Sequence, residues 1–153
     1  MGRKSRIGKG WKNIMILIRG GRVVDPATGR DERADLVLEG GVIREICAPG
    51  QAAETDFDQV IDAKNLVAAP GLVDVHVHFR DPGLTYKEDI HSGARAAARG
   101  GFTTVVCMAN TKPIVDNEGT LRYVLAEGKK TGIHVLSCAA VSRGFEGREL
   151  TDM

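Results

Sequence analysis

Hydrophobic and polar residues alternate in short runs between residues 14 and 69, and this pattern predicts β-strands, because successive strand side chains point to opposite faces. The runs, which predict about five strands, are residues 14–18, 22–24, 34–39, 42–46, 59–62 and 66–68. Double glycines between such runs, at Gly20-Gly21 and Gly40-Gly41, are hairpin signals. We therefore predict a small antiparallel sheet over residues 14–69 with one buried face. This sheet is too small to be a stable domain by itself.

From residue 70 onward the pattern changes to strands that alternate with helices. The predicted elements are a strand after Pro70-Gly71, a helix over 87–99, a strand over 102–108, a helix capped by Asp116 or Asn117 that runs to about 130, and a strand over 133–141. This order predicts an α/β fold with parallel strands and right-handed crossovers. The sequence ends at Met153, where another helix would start, so we interpret residues 70–153 as the first three βα units of a longer protein.

The composition is that of a soluble globular protein, with 42% hydrophobic and 27% charged residues in a chain of 153. A net charge of +1 argues against a dedicated nucleic-acid binder, and no apolar run approaches the length that spans a membrane. The basic residues of segment 1–13 predict a disordered leader, unless Met15 is the true initiator. We interpret Cys47, Cys107 and Cys138, which lack metal-site spacing, as reduced core thiols of a cytoplasmic protein.

The first strand of the second region carries the most informative residues, and residues 71–83 read GLVDVHVHFRDPG. Alternation places Asp74, His76 and His78 on one side, with Arg80 two residues further on the same side. The valines share the other side, which implies that other structure covers it. Neutral imidazole is the commonest metal ligand, and active sites of α/β barrels lie at this strand end. The pattern indicates a hydrolytic metal site, and the alternative is a pair of ordinary half-buried strand histidines.

A histidine pair alone leaves such a site incomplete, because catalytic zinc uses about three protein ligands and a water. His91 is predicted on the first helix, and His134 lies at the opposite end of the third strand. We interpret both as structural or solvated histidines. The missing ligands are therefore expected beyond Met153.

Two segments together resemble the dihydroorotases of the long bacterial type, in the amidohydrolase superfamily: GLVDVHVHFRDPG, residues 71–83, and TYKEDIHSGARAAARGGFTTVVCMANTKPIVDN, residues 85–117. The resemblance runs from about residue 16 to residue 153. It implies the N-terminal part of a (β/α)8 TIM barrel, preceded by a portion of a small β-sandwich. It also implies a zinc cofactor, one or two ions per full-length subunit. The implied reaction interconverts N-carbamoyl-L-aspartate and (S)-dihydroorotate in pyrimidine (UMP) biosynthesis.

Carried over residue by residue, the resemblance implies that His76 and His78 bind zinc. It implies that Arg80 and Asn110, together with His78, hold the carboxylate of the substrate, which agrees with the bidentate grip of arginine on carboxylates. The bridging aspartate, two further histidines and the proton shuttle of the family come from later strands. Catalytic residues are therefore expected beyond Met153, and this chain alone is expected to be inactive.

Two other functions remain open at this point. A hydantoinase or allantoinase shares the His-x-His strand, but residues 79–83 and Asn110 favour a dihydroorotase, because they provide for a carboxylate that hydantoins lack. A non-catalytic dihydroorotase-like subunit that scaffolds aspartate transcarbamoylase is expected to have lost its metal ligands, whereas His76 and His78 are intact. The expected partners are the small-molecule substrate, with a homo-oligomer or an aspartate transcarbamoylase complex as possibilities.

Overall fold

A computed structural model describes residues 14–52 and 57–152, so the leader predicted at 1–13 lies outside the described residues. The chain divides into two compact units, of which the first ends at Pro70 and the second begins at Gly71. Each unit has its own hydrophobic core.

The first unit is a five-stranded sheet. Its strands are β1 (Met15–Asp25), β2 (Arg30–Glu39), β3 (Val42–Cys47), β4 (Gln59–Asp62) and β5 (Val67–Ala68). The order is β3-β2-β1-β4, and β5 also pairs with β1. The prediction of an antiparallel sheet was wrong in part, because β4 and β5 run parallel to β1. Parallel pairing of β1 with β4 and β5 is possible because β2 and β3 separate these strands along the chain.

The two double glycines have different roles in this sheet. Gly40 and Gly41, with φ of 60° and 83°, form the predicted hairpin turn between β2 and β3. Gly20, with φ of 68°, lies instead at an irregularity inside the long strand β1, where the pairing with β2 shifts between Ile18 and Gly21. The prediction of a hairpin at Gly20-Gly21 is therefore wrong, because Gly20 is part of a β-bulge within β1.

A buried carboxylate holds this bulge. Asp35 is 1% exposed, and its two carboxylate oxygens accept hydrogen bonds from the backbone N–H groups of Gly20, at 2.7 Å, and Gly50, at 2.8 Å. One side chain thus joins β1 to the loop that follows β3. Both backbone donors are satisfied by it.

Asp35→Asn is expected to destabilise the first unit by about 1–3 kcal/mol, because an amide offers one acceptor oxygen to two N–H donors. Urea unfolding measures the loss, and hydrogen exchange at the Gly20 and Gly50 amides locates it. Asp62→Asn is the matched control, because Asp62 is exposed and its carboxylate accepts from one described donor, the Lys64 N–H. Equal losses in the two variants would contradict the role of Asp35.

The second unit confirms the predicted alternation of strands and helices. Its elements are β6 (Leu72–Val77), α1 (Ile90–Arg99), β7 (Phe102–Cys107), α2 (Glu118–Gly128) and β8 (His134–Ser137), with a short 3-10 turn at Arg143–Phe145. The three strands are parallel in the order β6-β7-β8. Neither helix in the described part of the chain is long and apolar enough to cross a membrane.

Hydrogen bonds determine where the helices begin and where β8 ends, and some of these ends differ from the predicted ones. Helix α1 begins at Ile90 because the side chain of Asp89 accepts from the Ser92 N–H. Asn117, one of the two predicted caps, accepts from the Thr120 N–H and starts α2. Strand β8 is shorter than predicted, because beyond it the Ala140 N–H donates to a carbonyl of the loop after β7.

Candidate metal centre

The two histidines of the predicted metal site are brought together at the end of β6. The ring centroids of His76 and His78 are 5.2 Å apart, with the ring planes at 61°. Both rings border a cavity of about 390 Å³. The other residues around this cavity follow β7 and β8: residues 108–110, residues 138–142 and Phe145.

Asn110 links the end of β7 to this histidine pair. Its side-chain Oδ1 lies 2.9 Å from Nδ1 of His78. Because Oδ1 can only accept, this contact requires a proton on Nδ1, and the neutral tautomer with that proton has its lone pair on Nε2. A hydrogen bond of this kind on one ring nitrogen is what orients a metal-binding histidine. The same contact leaves the two N–H donors of the Asn110 amide available for a ligand.

The loops beyond β6 and β7 pack closely against each other. The Lys112 N–H donates to the carbonyl oxygen of Pro82 at 3.0 Å. Gly83 has φ of 86°, and a β-carbon there would lie 1.6 Å from the carbonyl oxygen of Lys112. Only glycine fits this approach, so the loop that carries Arg80 has a defined path.

Asp74 is not part of the cavity around the histidines. Its carboxylate accepts from the backbone N–H of His76, and it borders a second cavity, beside α1, which Val77 and His78 also border. The pairing of β6 with β7 shifts between Asp74 and Val77, which interrupts the strict alternation assumed from the sequence. Within the described residues the valine face is also only partly covered, since Val73 and Val75 are 59% and 67% exposed.

Arg80 lies beyond the regular strand, so alternation does not place its side chain. Strand β6 ends at Val77, and Arg80 has φ of 62°, in the left-handed region. It is half-buried and is not among the residues that border the histidine cavity. It forms no ion pair with the other described residues.

The residue after Arg80 anchors this loop to both helices. Asp81 is 6% exposed, and its Oδ1 accepts from the Tyr123 hydroxyl at 2.9 Å, while its Oδ2 faces the Ile90 N–H at 3.5 Å. Partial burial, together with this hydrogen bond to Asp81, raises the pKa of Tyr123 to about 12. Sequence reasoning gave no role to Tyr123 and included Asp81 only as a member of the segment 79–83.

Tyr123→Phe is expected to lower stability near neutral pH and to flatten its decline in base. The unfolded phenol has a pKa of about 10, so the contribution of Tyr123 is complete below that pH. It is lost as the pH rises toward the folded pKa, because the unfolded chain then binds fewer protons. Unfolding free energies between about pH 8 and pH 11 test this. Tyr86→Phe, at a 78% exposed position, is the control, and identical pH slopes for the two variants would contradict the expectation.

His91 and His134 lie away from the cavity, as expected for structural or solvated histidines. Nε2 of His91 lies 3.1 Å from Glu127 Oε2 and joins α1 to α2. Lys130, and then His91, lower the pKa of Glu127. His134 is exposed at the start of β8, the opposite strand end from the cavity. Among residues 14–52 and 57–152, no group of three or more potential ligands could hold a metal ion.

Sequence reasoning missed two residues of the cavity, Cys138 and Phe145. Both follow β8. Because the carboxyl ends of parallel strands lie at one edge of a sheet, their position after the third strand was a signal that they lie near the histidines. Cys138 was predicted to be a core thiol, which is wrong, because it is exposed. Cys107 is buried as predicted, and burial raises its pKa to about 11.

Comparison with known proteins gives relatives for the sequence and for the fold. A family model described as dihydro-orotase-like matches residues 65–153. The dihydroorotase of Clostridioides difficile (strain 630) is 60% identical over 140 residues, which cover 91% of this chain and 32% of that protein. The chain thus spans about a third of the length of the curated relatives it matches.

Solved structures of two hydantoinases share the fold. A D-hydantoinase matches with a TM-score of 0.68 and 27% identity, over 84% of this chain and 28% of that one. The L-hydantoinase (dihydropyrimidinase) of Arthrobacter aurescens has a TM-score of 0.65 and 23% identity, over the same shares of 84% and 28%.

The described residues therefore have the mixed α/β fold of an amidohydrolase-type protein, as in the D-hydantoinase. The sequence narrows the class further, because the family match covers more than half of the chain. The chain belongs to the dihydro-orotase-like family.

Proposed function

We propose that this chain serves a zinc-dependent dihydroorotase, which interconverts N-carbamoyl-L-aspartate and (S)-dihydroorotate in pyrimidine biosynthesis. The observation that carries the proposal is the histidine pair oriented by Asn110 at one cavity. The relative that is 60% identical carries the name dihydroorotase, and this supports the same activity here.

The donor set at the cavity fits zinc. Two imidazoles side by side are ligands that zinc prefers, and the contact of Asn110 with Nδ1 of His78 leaves Nε2 as the nitrogen that can face the ion. When bound, zinc polarises the amide carbonyl and lowers the pKa of a water to about 7. His76 and His78 would hold the ion. We propose that the remaining ligands and the catalytic acid–base group come from the two thirds of the relatives' length that this chain does not span.

The residues around the pair also provide for the substrate carboxylate. The amide N–H groups of Asn110, left over from its contact with His78, can donate to a carboxylate oxygen. Arg80 has no ion-pair partner among the described residues and stands two positions after His78, so its guanidinium is available for the same group. We assign carboxylate binding to Arg80 and Asn110, with His78 lining the same pocket as a substrate-binding residue.

The larger architecture follows from the same proposal. The parallel strands β6, β7 and β8 would be the first three of a (β/α)8 barrel, and the mixed sheet would be one part of a β-sandwich. A cytoplasmic location, and assembly as a homo-oligomer or with aspartate transcarbamoylase, agree with this assignment.

A hydantoinase is the second candidate, since the chain shares its fold with a D-hydantoinase. The two activities differ in the carboxylate of the substrate. Arg80 and Asn110 would have nothing to bind in an unsubstituted hydantoin, and this favours dihydroorotate.

The test is a chimera in which this chain replaces the matching 140-residue segment of the C. difficile dihydroorotase. We expect the chimera to bind zinc and to close N-carbamoyl-L-aspartate to dihydroorotate, with little turnover of hydantoin. The unmodified C. difficile protein is the reference. A folded, zinc-loaded chimera that hydrolyses hydantoin but not dihydroorotate would overturn the proposal in favour of the second candidate.

A further inference from the structure

The histidine cavity has two walls of different chemistry. One wall carries the polar groups His76, His78 and Asn110. The segment after β8 supplies the other wall, which consists of residues 138–142 and the ring of Phe145 and is mostly apolar. Binding sites for small molecules commonly combine such an apolar surface with a few placed polar groups.

Phe145 is held in place by a hydrogen-bonded hairpin. The Arg143 N–H donates to the Glu149 carbonyl, and the Thr151 N–H donates to the Val141 carbonyl, both at 3.0 Å. The hairpin is tied to the start of α2, because the Gly144 N–H donates to Asp116 Oδ2 at 2.9 Å. The aromatic ring therefore stands on a defined support.

The backbone of Phe145 is strained, and its ring is not used for core packing. Its φ is 59°, a region that bulky residues rarely adopt, and its side chain is 52% exposed. Strain of this kind persists where the surrounding structure imposes it, and such positions cluster at ligand sites. Among the described residues, the ring of Phe145 thus has an uncovered face on the wall of this cavity.

We propose that Phe145 determines specificity for the cyclic substrate, by presenting its ring to the flat face of the dihydropyrimidine while the opposite wall binds the polar edge. This inference rests on the proposed function. Aromatic rings pack on flat partners in offset or edge-to-face arrangements. The flat part of this ring is its cyclic imide, which ring opening divides into a smaller ureido group and a carboxylate, so Phe145 discriminates between the two sides of the reaction.

The two directions of the reaction give a specific signature in the chimera. Phe145→Ala removes a contact made by the bound ring and by the ring-like transition state. The KM for dihydroorotate is expected to rise about 2- to 12-fold with kcat nearly unchanged. For N-carbamoyl-L-aspartate, kcat is expected to fall by the same factor with KM nearly unchanged. The ratio of the two kcat/KM values stays constant, because the equilibrium constant fixes it.

Matched variants separate this role from a structural one. Phe145→Tyr keeps the ring and should retain the values of the parent chimera, whereas Phe145→Leu keeps apolar volume without a flat face and should behave as alanine does. Leu150→Ala, at a 74% exposed position of the same hairpin and outside the cavity, should change nothing. Equal changes in KM for both substrates, unchanged kinetics in Phe145→Ala, or a Leu150→Ala effect of the same size overturns the inference. A parent chimera that folds and binds zinc but is inactive on both substrates refutes the proposed function instead.

Discussion

Zinc and ring closure are expected to disappear together when His76 and His78 are both replaced by alanine in the chimera. The two imidazoles at the described cavity are the zinc ligands that we propose for this chain, and their removal leaves no other pair of histidines beside Asn110 in that cavity. Loss of a group that only orients a ligand costs about 10- to 100-fold in metal affinity or activity. We expect the loss of two ligands to exceed that range. Zinc per chain, measured on the purified protein, is the primary readout.

His91→Ala is the control for this experiment. His91 is also a histidine, but it pairs with Glu127 between the two helices and does not border the cavity. Its replacement should leave the zinc content at the level of the parent chimera. Unchanged zinc content in the double variant would refute the assignment of His76 and His78.

Arg80→Met is expected to weaken kcat/KM for dihydroorotate by about 2–4 kcal/mol, because the substrate carboxylate would lose a charged hydrogen-bonding partner. The loss should be much smaller for a neutral cyclic imide, which has no carboxylate. Steady-state kinetics on both substrates give the comparison. Arg95→Met, which removes an exposed arginine of α1, is the matched control.

The comparison between the two substrates distinguishes recognition of the carboxylate from support of the loop. The loop of Arg80 is anchored by Asp81 to both helices, so a disturbed loop would affect every substrate. Equal losses on dihydroorotate and on the imide would show that Arg80 supports the loop and does not recognise the carboxylate.

Local patterns predicted the secondary structure of the second unit well. Period-two and helical spacing located its three strands and two helices, and Asn117 was one of two predicted caps. These features depend on residues close in sequence, so composition and spacing are sufficient to find them. The first unit was harder, because nothing local distinguishes a strand that returns parallel to β1 from one that continues an antiparallel sheet.

The double glycines show the same limit at the scale of a turn. Both pairs have the freedom to adopt positive φ, but only Gly40-Gly41 forms a hairpin. At Gly20, the carboxylate of Asp35, from the neighbouring strand, accepts the backbone N–H and stabilises a bulge. The partner that decides the outcome is fifteen residues away in sequence.

For the candidate site, the sequence by itself determined the His76 and His78 pair, because two residues of spacing at a strand end put both rings together. It also placed Asn110 at the neighbouring strand end, since parallel strands bring their carboxyl ends to one edge. The absence of Asp74 from the lining of the histidine cavity, the left-handed turn at Arg80 and the aromatic wall from Phe145 were decided by the tertiary structure alone. A register shift, a tightly packed loop and a long-range hairpin anchor each depend on contacts between distant residues, and such contacts leave no periodic signal in the chain.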